Sequence, residues 1–380
     1  MNTVLPIENN NIPAALRGFL RRLIESGIVE ALLVPHQTGD GTVLPALVTD
    51  PARLDAERAD PLMPVMPINN ARAVSAITGR YKPAKMGVVL RPCEIRALIE
   101  LVKLQQASLD NVTIIGIDCP GTYELNKFLN AGHGENSAAN LAEYLTAAKE
   151  GREPLIEGLE LRQACQMCVH PVPENVDVHI HLFGVDVTHG LPVTMDDEIA
   201  IALNITESGA GGPFGKSIGE VVARLMAARQ KVRERALGDI HQRMNANGGI
   251  ASLFTSCIRC HNCMTACPIC YCKTCLFKTA AFDHEPSYYL NAARRKGATR
   301  LLGDTLLFHL TRLNHMSTSC VSCGICSSAC PSDIPVGIIF SAIGEQVQGE
   351  FEYVPGRDVS EPLPLITFHP DEWTEVGEEK

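Results

Sequence analysis

Two stretches, CIRCHNCMTACP from Cys257 to Pro268 and CVSCGICSSACP from Cys320 to Pro331, repeat the pattern C-x2-C-x2-C-x3-C-P letter for letter. Such a run leaves a chain few alternatives. The short x2 spacings let three thiolates wrap one face of a cuboidal 4Fe-4S cluster, while the fourth cysteine, displaced by x3 and steered by the proline, points to a neighbouring cluster. The expected ligand sets are Cys257, Cys260, Cys263 and Cys330 for one cluster, and Cys320, Cys323, Cys326 and Cys267 for the other. Zinc knuckles are the competing use of paired cysteines, but they are built from two C-x2-C units, not from four cysteines ending in proline twice over.

The two runs hold eight of 15 cysteines, and eleven lie between Cys257 and Cys330. An odd count cannot pair completely. The first ten residues, MNTVLPIENN, lack the basic and apolar regions of a secretory signal, and no apolar run approaches the roughly 18 to 20 residues that span a bilayer. The expectation is a cytoplasmic chain that does not cross a membrane, in which cysteines serve as metal ligands rather than disulfides. A net charge of −10 with no basic block offers no footprint for nucleic acid.

A length of 380 residues allows two or three domains. We expect an α/β domain with a parallel-rich sheet over residues 1–248, a helical α+β two-cluster ferredoxin-like domain over 249–345, and a C-terminal tail over 346–380. Between the cluster runs, Pro286 to Met316 reads as a helical insertion because apolar residues in LLGDTLLFHLTRLNHM recur every three to four positions. In the first domain, residues 14–33 begin as an amphipathic helix, with Gly27 marking its end. The strand KMGVVL, the helix Glu94 to Gln106 and the strand VTIIGID then follow in β-α-β order, for which a parallel sheet is the economical solution.

Cys93 follows the first of those strands and Cys119 the second. Both therefore fall at the carboxyl edge of the sheet, where open α/β sheets bind ligands. With Cys165 and Cys168 in RQACQMCVHP they make a candidate set for a third 4Fe-4S cluster, although buried thiols explain each one singly. The remaining three, Cys270, Cys272 and Cys275, serve equally well as part of a further metal site, as a replacement for a nominal cluster ligand, as redox-active thiols or as buried neighbours of a cluster.

Two further features are less specific. AGGPFGKS, ending in Gly215, Lys216 and Ser217, follows the apolar EIAIALNIT and opens a helix, a loose phosphate-loop pattern that suits a flavin pyrophosphate better than a nucleoside triphosphate; a glycine-rich turn opening a helix explains it more simply than either. HPVPENVDVHIHLFGVD alternates like an edge strand, putting His179 and His181 on one face, as metal ligands or as ordinary polar positions. The tail DEWTEVGEEK is acidic, suited to solvent or to a partner surface.

The phrases VEALLVP, VVLRPCEIRALIEL, IIGIDCPGT and CQMC, with LTRLNHMSTSCVSCG, CPSDIPVGIIF and FEYVPGRD, resemble the beta-subunit family of F420-reducing hydrogenase and F420-linked dehydrogenases, the formate dehydrogenase type above all. The resemblance implies FAD and a 4Fe-4S cluster in the first domain, which strengthens the assignment of Cys93, Cys119, Cys165 and Cys168. It also implies hydride exchange with coenzyme F420 or a similar carrier. The implied partner is a formate dehydrogenase alpha-like or heterodisulfide-reductase-like subunit. Where the family reads Gly-Ser-Lys-Tyr, this chain has Gly79, Arg80 and Tyr81, so Tyr81 is a candidate flavin contact at an altered site. A hydride carrier moves two electrons and a cluster accepts one, which makes a flavin the natural converter. The alternative is a flavin-free polyferredoxin-like carrier with no catalysis of its own.

Overall fold

A computed structural model describes residues 1–9, 11–38, 42–56, 59–79, 84–130, 137–188, 190–205, 216–299 and 303–366. Its frame is a seven-stranded sheet of β1 (Asn2–Leu5), β2 (Ala31–Gln37), β3 (Val43–Val48), β4 (Met86–Leu90), β5 (Val112–Ile117), β6 (Val178–Ile180) and β7 (Leu191–Met195). They lie in the order β1-β7-β6-β5-β4-β2-β3. The central pairs β2·β4, β4·β5 and β5·β6 are parallel, and antiparallel pairs close both sides. The sheet is thus parallel at its centre and mixed at its margins. The edge-strand reading of His179 and His181 is corrected: β6 is interior, because β7, a later strand of apolar residues, pairs along its outer side.

Helix α1 (Ile12–Glu25) buries Ile12, Leu16, Phe19, Leu20 and Leu23, a stripe at helical spacing. Asn11 caps it by accepting a bond from Ala14 N at 3.1 Å, and Gly27, at φ +73°, lets the chain turn back into β2. α1 packs with Val89, Ile115, Ile117 and Val178 on one face of the sheet. The alternate residues Met86, Val88, Leu90 and Ile114 face the other way. They meet Ile95 and Leu98 of α2 (Pro92–Lys103), the helix that joins β4 to β5.

That second core does not stop at the sheet. It continues into Phe308 and Leu313 of α4 (Gly303–Met316) and into Ile338, Ile339 and Phe340 of α5 (Val336–Glu350). A 30-residue helix, α3 (Lys216–Asn245), runs along it and packs on α5. The insertion consists of Pro286–Lys296 and α4. The segment after α5 folds back onto α2, where buried Glu100 accepts hydrogen bonds from the Tyr353 hydroxyl and, at 2.8 Å, from Gly356 N. Both cysteine-bearing parts of the chain are therefore fixed to one apolar frame.

Candidate metal centres

The two runs have the same local backbone. Arg259 and His261 take φ of +58° and +61°, and Ser322 and Gly324, at the same places in the second run, take +59° and +68°. Each left-handed step turns the chain around the thiols and aims backbone N–H groups at sulfur, as in the 3.4 Å contact of Arg259 N with Cys257 Sγ. The fourth cysteine of each run leaves its own group. Cys257, Cys260, Cys263 and Cys330 line one small cavity, and Cys267, Cys320, Cys323 and Cys326 line a second.

Two side chains that sequence reasoning missed stand over these sulfurs. Arg312, on α4, is buried and donates from Nη1 to Cys263 Sγ and from Nη2 to Cys263 O, both at 3.2 Å, while it also lines the second cavity. Its guanidinium lies 4.8 Å from the Phe340 ring centre. One turn earlier, His309 Nε2 is 3.4 Å from Cys257 Sγ, its ring stacked on Phe254 at 3.7 Å. The signal was available in HLTR, where i and i+3 share a helix face. Burial, reinforced by Arg312, pulls His309 down to about 3, so its ring is neutral. Arg312 Nε and His309 Nδ1 are buried with no hydrogen-bond partner.

Burial pushes Cys320 up to about 12 and Cys323 up to about 11, and it raises Cys263 and Cys326 as well, Arg312 opposing the last two shifts. Two groups of four thiols, several of them desolvated, beside one buried guanidinium are an arrangement suited to cationic metal. The thiols are more widely spaced than the ligands of a single zinc ion. A tetrahedral zinc site brings sulfurs to about 3.8 Å of one another, whereas among the described residues the only three His, Cys, Asp or Glu donors within 4.8 Å of each other are those of Asp118, His179 and His181.

The third set is assembled by the fold. Cys93 enters α2 just after β4, Cys119 follows β5, and Cys165 and Cys168 lie in and after a short helix, Gln163–Gln166. All four line one cavity of about 250 Å³, and Cys320 and Cys323 line the same cavity. Arg91 Nη1 approaches Cys119 Sγ at 3.7 Å, and Thr122 Oγ1 lies 3.3 Å from Cys165 Sγ. Burial raises Cys93 far above the ordinary thiol range, and it raises Cys119 against the pull of Arg91. Arg162 bridges the two parts, bonding to Thr122 Oγ1 and to the Cys323 carbonyl.

The other candidates scatter. Asp118 accepts from Leu182 N and Phe183 N and lies 2.8 Å from His179 Nε2, while His181 Nε2 lies 2.8 Å from Thr194 Oγ1. This cluster sits where β5 and β6 end. Lys216 opens α3, Gly215 and Tyr81 fall outside the described residues, and so do the side chains of Lys216 and Ser217. A phosphate loop follows a strand, but the first five residues of EIAIALNIT lie in the helix Asp197–Ala202, which removes that part of the pattern. A further cavity of about 720 Å³ opens between Asp60, Met63, Phe128, Tyr144 and Val185. Its wall joins the thiol cavity, because the Tyr144 hydroxyl donates at 2.8 Å to the carbonyl of Gly121, two residues beyond Cys119.

Residues 253–334 match the 4Fe-4S dicluster domain. The beta subunit of F420-dependent formate dehydrogenase from Methanocaldococcus jannaschii is 26% identical over 94% of this chain and 98% of its own length. The corresponding formate dehydrogenase 1 subunit of Methanococcus maripaludis is 24% identical, over 94% of each chain. This chain is a relative of those beta subunits. As such a relative it resembles oxidoreductase subunits through the sheet and the cluster runs alike. A chain of the xenon-derivatised F420-reducing [NiFe] hydrogenase complex from Methanosarcina barkeri aligns at 14% identity with a TM-score of 0.42, covering 59% of this chain and 85% of that one. Among the described residues no helix is long and apolar enough to cross a membrane.

Proposed function

We propose that this chain is the electron-transfer beta subunit of an oxidoreductase complex, linking a hydride carrier such as F420 to a formate dehydrogenase alpha-like or heterodisulfide-reductase-like partner. Cys257, Cys260, Cys263 and Cys330 hold one 4Fe-4S cluster, Cys267, Cys320, Cys323 and Cys326 a second, and Cys93, Cys119, Cys165 and Cys168 a third. FAD occupies the cavity beside Tyr144, whose volume suits a ligand of that size. When bound, the flavin supplies the exchange between hydride and single electrons, and the clusters supply one-electron carriers.

The protein's own part is to hold these sites close together and to set their fields. Arg312 and Arg91 place positive charge and N–H donors against the sulfurs of the first and third sets. Arg162 fixes the distance between the second and third sets by bonding to both sides. Tyr144 ties the wall of the large cavity to the loop that carries Cys119. No side chain acts as general acid or base in this scheme. One observation carries the reading: Cys320 and Cys323 line both the second cavity and that of the sheet cysteines, so the second and third sets share a wall, and Arg312, which lines the second cavity and bonds to Cys263, ties the first set to them.

The test is anaerobic reduction of the purified protein, followed by its visible absorbance. Reduced F420 bleaches flavin and cluster bands together under this proposal, and releasable FAD is found at one per chain. Bleaching by dithionite alone, with no flavin released, overturns it and leaves an electron carrier without a hydride site.

A further inference from the structure

Cys270, Cys272 and Cys275 take no part in the proposed clusters, yet they line one cavity of about 490 Å³. It lies against the first run, sharing Met264 and Pro268 with it, and Cys270 N donates to the Cys267 carbonyl at 3.3 Å. The opposite wall comes from the helix Ala71–Thr78, whose Arg72 bonds to the Thr265 carbonyl. Arg72, Lys273 and Lys278 also line the cavity, which has no carboxylate and no histidine in its wall. Among the described residues neither lysine pairs with an acid. Three cationic side chains and three thiols thus line the same cavity, which suits an anionic thiolate-bound group.

The sulfurs are again too far apart for one zinc ion, since no three cysteine donors fall within 4.8 Å of each other. A two-cysteine redox pair would leave Cys270 and the cations unexplained. We propose that Cys270, Cys272 and Cys275 hold a further iron–sulfur cluster with three protein thiolates, its fourth coordination site left to a small anion or thiolate admitted through the cationic cavity. Lys273 and Lys278 favour such a ligand by charge, and the exposed Cys272 marks the side from which it enters.

The inference goes beyond the three-cluster reading, and its test is a difference measurement. Anaerobically purified Cys272→Ser/Cys275→Ser protein should carry about four fewer iron and four fewer sulfide per chain than the parent. A Cys326→Ser variant prepared in parallel reports the proposed second cluster separately, so failure of one reading is distinguishable from failure of the other. A second measurement needs no variant: in the parent, Cys272 should resist native alkylation despite its exposure and react once iron is chelated, and a small thiol should shift the reduced protein's EPR spectrum. Unchanged iron in the double variant, zinc in place of iron, or immediate alkylation of all three cysteines in the iron-replete parent overturns the proposal.

Discussion

Cys257, Cys260 and Cys263 reach one cavity within seven consecutive residues, whereas Cys93, Cys119, Cys165 and Cys168 reach theirs from two strand ends and a loop. The first arrangement is local: two left-handed steps, at Arg259 and His261, are enough to bend the chain around its thiols. The second exists only after β4 and β5 have paired in parallel and α2 has packed beneath them. Damage to a ligand should therefore act alone in the run, while the sheet set depends on distant packing. Where the two regions touch, through Arg162, Gly324 and Cys323, they share walls and lose their independence.

The largest effect expected is that of Cys326→Ser. Cys326 is buried and lines only the second of the cluster cavities. Its loss should cost about four irons per chain and at least about 100-fold in electron delivery to a partner acceptor, while flavin reduction by the hydride donor persists. Parallel stopped-flow traces of flavin and acceptor check this. Equal loss of both activities in folded protein would break the modular half of the comparison.

Next comes Glu100→Ala. Glu100 is wholly buried, pairs with Lys103 at 3.4 Å and anchors Tyr353 and Gly356. Removal leaves Lys103 with Glu361 at 3.9 Å as its remaining carboxylate and deprives the Tyr353 hydroxyl and Gly356 N of their acceptor, a change that costs about 2–5 kcal/mol. The expected readouts are a lower denaturant midpoint and faster proteolysis of the segment after α5. Gly324→Ala should cost about 2–4 kcal/mol, because a methyl there would sit 2.2 Å from Ala164 Cβ at a residue with φ +68°. Both cysteine sets should lose iron together, since Ala164 precedes Cys165. Iron loss confined to the second set would show the contact to be looser than the geometry implies.

The smallest effect concerns pH. Burial, helped by His179, lowers His181 to about 4, below its unfolded value of about 6.5. The folded state therefore binds fewer protons than the unfolded state between those values, and stability falls as pH drops through that window. His181→Gln should flatten the decline by about 2 kcal/mol or less at pH 5, read from denaturant midpoints at pH 7 and 5. An unchanged slope would assign the pH dependence to other groups.

Sequence reasoning reached different depths in the two regions. The runs carry their grouping in their own spacing, and the β-α-β unit was legible because GVVL and VTIIGID are continuous apolar strands around an amphipathic helix. What was not legible depended on distant partners. β6 looked like an edge strand because His179 within it and His181 just beyond alternate with buried residues, and nothing near it in sequence announces that β7 pairs outside it. Arg312 and His309 read as polar positions on an insertion helix, since their approach to Cys263 and Cys257 is set by how α4 packs. The wall shared by Cys320 and Cys323 with the sheet cysteines depends on the core that joins α2 to α5.

The central claim is that the scattered sheet cysteines bind iron as the runs do. Iron and sulfide per chain in anaerobically purified Cys119→Ser, set beside the parent, test it most directly. A loss of about four of each, with the signals of the two run clusters retained, is the result expected. Iron equal to that of the parent would show that Cys93, Cys119, Cys165 and Cys168 are buried thiols and would contradict the third cluster.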